Sequence, residues 1–393
     1  MRHLKLLAVI GLALLSVSVV LSACGGNGGG VPVVPKTTVY RAYVVNANNQ
    51  TMLAFTIGKG TGELVSTGST TVGSLPNAVV TDPKGRAVYV ANTGSSTVSA
   101  FSTDAKTGAL TSAGTPTTGG YTTYVSTDPL SRFLYATNWN TNDVAVFTID
   151  ASTGALVKTD CGGGAGCGTT NPMNFAVGNT PYSNVAFDPA GKFAYIALQG
   201  TSNVARFAVD QATGGLSSSV TVSTGTDPDY VVLDPKGKFA YVANATSNDI
   251  SAYTVSAADG TLAQIDCGGG TGCNGKNFAA GTYPNTLAVD PAGKYLFVAN
   301  ANDNTVSGYA INGATGALTA VPNSPYSVGP DAWGSLSVAV DPSGRFVYAT
   351  SNQSNNVAGF RINGSTGELT ALTTSPFGTG GQAYFIATTA TSY

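Results

Sequence analysis

One four-residue run returns along the whole chain. Tyr43-Val-Val-Asn recurs as Tyr89-Val-Ala-Asn, Tyr135-Ala-Thr-Asn, Tyr195-Ile-Ala-Leu, Tyr241-Val-Ala-Asn, Phe297-Val-Ala-Asn and Tyr348-Ala-Thr-Ser, seven copies in all. The basic spacing is 46 residues, as from Tyr43 to Tyr89 and from Tyr89 to Tyr135. A period of that size confines the chain to a stack or ring of small units, none able to bury its apolar face alone. The two widest intervals, after Tyr135 and after Tyr241, each hold a glycine-rich Cys pair and read as insertions into the period.

Each unit predicts four short strands. In one repeat, Asn77-Ala-Val-Val-Thr runs into Asp82-Pro83-Lys84-Gly85, a turn whose Asp bonds nearby backbone, whose Pro presets φ and whose Gly accepts the left-handed region. The turn returns at Asp188, Asp234, Asp290 and Asp341, and as Asp128-Pro129-Leu130-Ser131, where the missing Gly predicts a looser turn. The Tyr-Val-Ala-Asn run is the second strand. A third ends near Phe101 and its counterparts, and a fourth follows Thr-Gly-x-Leu. Short alternating runs between glycine turns are the hairpin pattern. Only Glu63 and Glu368 represent Glu, a poor supply for helices, and no helix is expected after residue 23.

The first unit lacks its opening strand, and Gln382–Thr388 supplies a spare one at the far end. The reading is therefore all-β: a seven-bladed β-propeller of four-stranded blades, its ring closed by the C-terminal strand completing the first blade. Closure removes the sheet edges that the alternative, an open solenoid, would expose. The propeller is expected over 38–393, as a monomer.

Residues 1–23 read as an export signal. Arg2, His3 and Lys5 precede an apolar run from Leu6 to Leu21, at 16 residues short of the roughly 20 that span a bilayer. Leu21-Ser22-Ala23-Cys24 resembles a bacterial lipobox, which implies acylation of Cys24 and a membrane-anchored protein of the cell envelope. Gly25 in place of Asp after that Cys implies outer-membrane sorting. Residues 24–37, rich in Gly and Pro, form a tether. The other cysteines form two C-x5-C pairs, read as local disulfides Cys161–Cys167 and Cys267–Cys273. The rival, a four-thiol metal site, fits less well because zinc pairs are closer and the only His is His3. No metal and no cofactor is expected. With 18 basic and 20 acidic residues there is no basic excess, so nucleic acid is not an expected partner.

Together, the Tyr-Val-Ala-Asn strand, the Asp-Pro-x-Gly turn and the Thr-Gly-x-Leu turn resemble the YVTN-repeat propellers of the lactonase family, which includes 6-phosphogluconolactonases. The resemblance covers roughly residues 39–393 and implies the fold more firmly than the reaction, since these motifs are scaffold. In such a ring, the loops leading into the innermost strands share one mouth with the Asn-rich loops after the second strands. Asn138, Trp139, Tyr182, Arg206, Asp229, Tyr230 and Trp333 are the candidate ligand-binding residues, suited to a small neutral polar ligand or a protein partner. Catalysis is less supported. With no His after His3, a His-based nucleophile pair is excluded, and Asp229 or Asp331 is the candidate base for a lactone hydrolase. Calcium-dependent lactonase propellers use a central Glu, whereas Glu63 and Glu368 sit in turns predicted to be peripheral. Binding is the leading expectation and hydrolysis the alternative.

Overall fold

A computed structural model describes residues 36–162, 167, 168, 173–329 and 335–393. The predicted signal, Cys24, the tether to residue 35, Asp331 and Trp333 lie outside the described residues.

Seven antiparallel sheets form, each built on a four-strand path. In blade 2 the strands are Pro76–Thr81, Ala87–Asn92, Thr97–Thr103 and Leu110–Gly114, from the centre outwards. Blade 1 takes its innermost strand from the end of the chain: Ala383–Ser392 pairs with Thr38–Asn46, joining Thr38 to Ser392 and Val45 to Phe385. Each innermost strand touches the next, and that of blade 7 touches Ala383–Ser392, so the circle closes. The predicted propeller is the observed one.

The strand patterns follow from burial. Second strands such as Ala87–Asn92 and Phe239–Asn244 are buried along their length, between sheets on both sides, and read as continuous apolar runs. Outermost strands such as Leu64–Thr71 bury only their first residue and alternate little. In blades 3, 5, 6 and 7 a second short segment also pairs with the third strand, beyond the fourth. Both disulfides form in the loops between such segments, each with its Cα atoms 5.7 Å apart. The only helical turn among the described residues is a single 3-10 turn, Gln199–Thr201.

In five of its six copies, all but Tyr43, the repeated tyrosine is a rivet between blades. Its hydroxyl donates to the carbonyl of the Thr-Gly turn one blade on: Tyr89 to Gly154 (3.1 Å), Tyr135 to Gly214 (2.8 Å), Tyr195 to Gly260 (2.8 Å), Tyr241 to Gly316 (3.0 Å) and, across the closure, Tyr348 to Gly62 (2.6 Å). Phe297 has no hydroxyl, and Tyr295 two residues earlier reaches Gly364 instead, at 3.3 Å. The turn glycine is required twice over. Gly260 has φ +71°, and a Cβ there would lie 2.5 Å from the Phe193 ring. Removing a rivet leaves a buried carbonyl unpaired, so Tyr195→Phe is expected to cost about 1–3 kcal/mol, read as a lowered denaturation midpoint with unchanged m-value.

One expectation about the Asp-Pro turns needs correction. Ser131 replaces the glycine yet adopts φ +59°, and its N–H closes the same turn on Asp128 at 3.0 Å, so that turn is not looser. Several of the basic residues after these turns reach the next blade. Arg86 pairs with Asp82 at 3.1 Å and donates to Ala151 O of the next blade, and Arg132 pairs with Asp128 and reaches Gln211 O. Lys238 likewise reaches Gly313 O at 3.2 Å. The aspartates act as anchors, Asp234 accepting the backbone N–H of both Lys238 and Phe239.

An innermost strand leaves one edge of backbone groups unpaired by its own sheet, a cost that Ser, Thr and Asn offset. Asn184 grips both N–H and C=O of Val231 in the next blade (3.1 and 3.0 Å), Ser126 accepts from Val185 N, Thr286 from Val338 N, and Thr388 donates to Val340 O at 2.7 Å. The polar composition of the innermost strands is thus a lacing of the channel wall.

Candidate functional site

The innermost strands carry a recurrent β-bulge near their start. Pairing with the second strand skips Asn77, Thr123, Asp229, Asn285 and Tyr384 in blades 2, 3, 5, 6 and 1. A bulge re-aims its side chain, and these positions ring the upper end of the channel. There the structure holds a cavity of about 650 Å³, walled by the rings of Trp139, Tyr182, Tyr283 and Tyr384 and by the amides of Gln199, Asn285, Asn302, Asn352 and Gln353. Among the described residues, no Lys or Arg lines it.

Directly beneath the wall lies Asp229, with no exposed surface. Gln199 Nε2 donates to its Oδ1 at 2.5 Å and Asn285 Nδ2 to its Oδ2 at 3.3 Å. Burial pushes its carboxyl up to about 7; the Gln199 and Asn285 amides oppose the shift and nearby Asp227 adds to it. The rings around it feel the same charge. Tyr182 is pushed up to about 12, first by burial and then by Asp229, and Tyr283 is raised by the same two causes. Both phenols therefore remain protonated donors at neutral pH.

Gln199 shows how an irregularity builds the site. Where five of the other units place Asn at the end of the second strand and blade 7 places Ser351, blade 4 has Leu198, and the chain turns at once into the Gln199–Thr201 turn. That turn delivers the Gln199 amide to Asp229, one blade away. Below the carboxylate the channel is plugged by aromatic rings. Tyr124 meets Tyr182, Tyr230 and Phe385 edge-on, with centroids 6.0, 5.7 and 5.8 Å apart.

The candidates from sequence separate into groups. Trp139, 42% exposed, and Tyr182 line the cavity, and Asp229 lies under it. Tyr230 belongs to the plug and faces the lower half of the channel. Asn138 is a strut: fully buried, it donates to Asp143 Oδ1 at 2.7 Å and accepts from Thr122 Oγ1 at 3.0 Å. Asn92, Asn244 and Asn300 brace their blades in the same way. The structure places Arg206 far from the mouth, on the third strand of blade 4. There it stacks on Phe193, 5.0 Å from the ring centre, and donates to Asp259 O of the next blade.

Gln199, Tyr283, Asn285 and Tyr384 join the site without having been singled out. The signals for them were the broken Tyr-Ile-Ala-Leu repeat before Gln199, and the place of Asn285 and Tyr384 in the same bulge position as Asp229. Among the described residues no three His, Cys, Asp or Glu side chains gather as metal ligands. The amides beside Asp229 turn N–H donors toward it, a shell suited to a carboxylate and not to a cation.

A family model described as lactonase, 7-bladed beta-propeller, matches residues 38–166, 165–273 and 273–332. No curated protein matches the chain. Among solved structures, one provisionally described as a 6-phosphogluconolactonase from Bacteroides uniformis aligns with TM-score 0.71 at 21% identity over 89% of this chain and 99% of that one. A second such structure, from Bacteroides fragilis, aligns with TM-score 0.72 at 21% identity over 89% and 98%. The periplasmic gluconolactonase of Pseudomonas aeruginosa aligns with TM-score 0.70 at 19% identity over 89% and 99%. At these identities the likeness is one of fold.

Proposed function

Because this chain belongs to the lactonase family of seven-bladed β-propellers, we propose that it hydrolyses an unphosphorylated sugar lactone at the upper mouth, with Asp229 as general base. The buried Asp229 carboxyl, poised near neutrality under a polar, ring-walled cavity, is the observation that carries this reading. It reverses the order of the sequence-based expectations, placing hydrolysis ahead of simple ligand binding.

The proposed sequence of events starts from the closed site. Gln199 and Asn285 separate Asp229 from the cavity, so Gln199 swings from the carboxylate to the substrate carbonyl when the lactone enters. Asp229 then takes a proton from the attacking water. The tetrahedral oxyanion is met by amide N–H and phenol O–H donors. Collapse breaks the ring C–O bond, and the leaving alkoxide takes the proton held on Asp229. The product is an open hydroxy acid, which ionises at neutral pH.

Ring faces and neutral amides suit a sugar ring, while a phosphate would call for Arg or Lys, and among the described residues none lines the wall. We extend the proposal to the address: export, acylation of Cys24 and attachment to the cell envelope, where an unphosphorylated lactone is the reasonable substrate. The test is enzyme-dependent opening of glucono-δ-lactone against 6-phosphoglucono-δ-lactone, corrected for spontaneous hydrolysis. A preference of at least tenfold in kcat/KM for the unphosphorylated lactone is expected, and the opposite preference would refute the substrate assignment.

A further inference from the structure

The rim of the upper mouth is unequal around the ring. Two residues before the bulge, Leu75, Tyr121, Asp227 and Tyr283 occupy the same place on the entry loops of blades 2, 3, 5 and 6. At Leu75, Asp227 and Tyr283 the backbone is left-handed, with φ +48°, +62° and +57°. Those loops share one geometry, and their side chains differ. Beside Asp229 the place belongs to a carboxylate, Asp227, which accepts from Thr246 Oγ1 at 2.7 Å. In blades 2 and 3 it belongs to Leu75, 59% exposed, and Tyr121, 50% exposed.

These two stand in a row with Trp139. Thr93 N–H donates to Leu75 O at 3.0 Å, and Thr93 Oγ1 donates to Thr122 O, next to Tyr121, at 2.6 Å. Trp139 N–H donates to Tyr121 O at 3.0 Å, while Tyr121 N–H donates to Asn140 Oδ1 at 2.6 Å. Every one of these bonds uses the main chain of Leu75, Tyr121 and Trp139, which leaves their exposed side chains free of that bracing. Leu75 also holds a left-handed φ that Gly or Asn adopts at less cost. A contiguous exposed apolar patch marks a binding surface. This one is continuous with the cavity over Asp229, because Trp139 belongs to the cavity wall. That cavity, about 650 Å³, is within the range of roughly 300–1,000 Å³ that takes a ligand of drug size. Tyr121 and Leu75 extend the wall outward, bordered by exposed Asn140 and Ser95. Aromatic faces flanked by amide and hydroxyl groups match a sugar ring, which is apolar on its faces and polar at its edge.

We propose that Leu75, Tyr121 and Trp139 form a subsite for a second sugar ring, so that the substrate is a disaccharide aldonolactone. The substrate assignment rests on the hydrolase reading: the lactone ring lies over Asp229 and the linked ring on the platform. A δ-lactone closes through O5 and leaves O4 free to carry that second ring. The bond broken is still the ring ester, so the glycosidic bond survives and the product is a disaccharide acid.

Cellobiono-δ-lactone and maltobiono-δ-lactone differ in the linkage of the second ring. At least one is expected to show kcat/KM about tenfold or more above glucono-δ-lactone, chiefly through a lower KM. Tyr121→Ser should remove that excess while leaving kcat/KM for glucono-δ-lactone within about twofold of the parent, and Tyr121→Phe, which keeps the ring, should retain it. Calorimetric titration with cellobiose, maltose and glucose reads the platform without hydrolysis. The disaccharide of the preferred linkage is expected to bind about tenfold more tightly than glucose, and Tyr121→Ser to abolish the difference. Disaccharide binding that Tyr121→Ser removes, with no lactone opened, would sink the hydrolase reading and support the subsite. Lactone opening with equal kcat/KM for one ring and two, equal affinity for glucose and both disaccharides, or a preference untouched by Tyr121→Ser would overturn the subsite. A platform built for a protein partner predicts that equality.

Discussion

Asp229→Asn is expected to lower kcat/KM for lactone opening by about 10²–10⁴-fold, the usual contribution of a positioned base, with KM little changed. The substitution keeps volume and removes only ionisation, so the propeller should fold normally. A structural role for Asp229 predicts a different outcome: loss of stability with activity falling only in proportion to folded protein. The two roles are also separated by pH. The folded carboxyl titrates near 7, against about 3.9 in an unfolded chain. A raised folded pKa stabilises most below the unfolded value, and that stabilisation is lost as pH rises through the folded one. Between pH 4 and 8 this group alone should remove about 4 kcal/mol of stability, and Asp229→Asn should abolish that part of the pH dependence. The variant is thus expected to be inactive and, at pH 8, no less stable than the parent.

Deleting residues 383–393 is expected to have the largest effect on the fold. The removed strand is the innermost strand of blade 1 and one side of two blade contacts, pairing with Thr38–Asn46 and touching the innermost strands of blades 2 and 7. Without it, the buried Tyr43, Val44 and Val45 face a missing neighbour and the ring has two open edges. The truncated chain should fail to give a cooperative unfolding transition and should accumulate insoluble. A circular permutant that begins at Gln382, its old ends joined by a short glycine linker, restores every strand. It is expected to unfold within a few degrees of the parent. Thr37 and Tyr393 make such a join feasible, since they already bond backbone to backbone, at 3.0 and 3.2 Å. A stable truncated propeller would show that closure is dispensable.

The fold was legible because each repeat states its geometry in its own residues. Tyr-Val-Ala-Asn carries a strand buried on both faces, Asp-Pro-x-Gly a self-capped turn, and the missing and spare strands at the two ends reveal the closure. The site was only partly legible. Asp229 was visible as an unpaired carboxylate in a mouth loop, but its near-neutral titration arises from burial at the centre of the ring, against the opposing amides of Gln199 and Asn285 from two other blades. Such convergence across the ring cannot be read from one repeat. Asn138 misled because an Asn at the end of a strand serves a strut as well as a ligand. Arg206 misled because a residue departing from the repeat need not face the channel; the third strand's lower end points it into the seam between blades. The departure that mattered was Leu198-Gln199, where the pattern breaks at the mouth itself.

The pH dependence of kcat/KM for glucono-δ-lactone, measured on the parent and on Asp229→Asn, tests the central claim most directly. A base at Asp229 predicts a parent rate that rises with pH as one group ionises near 7 and then levels, with the variant lacking that rise. A parent profile that is flat or falling across pH 6–8, or a variant that keeps the parent's rate and profile, would contradict it.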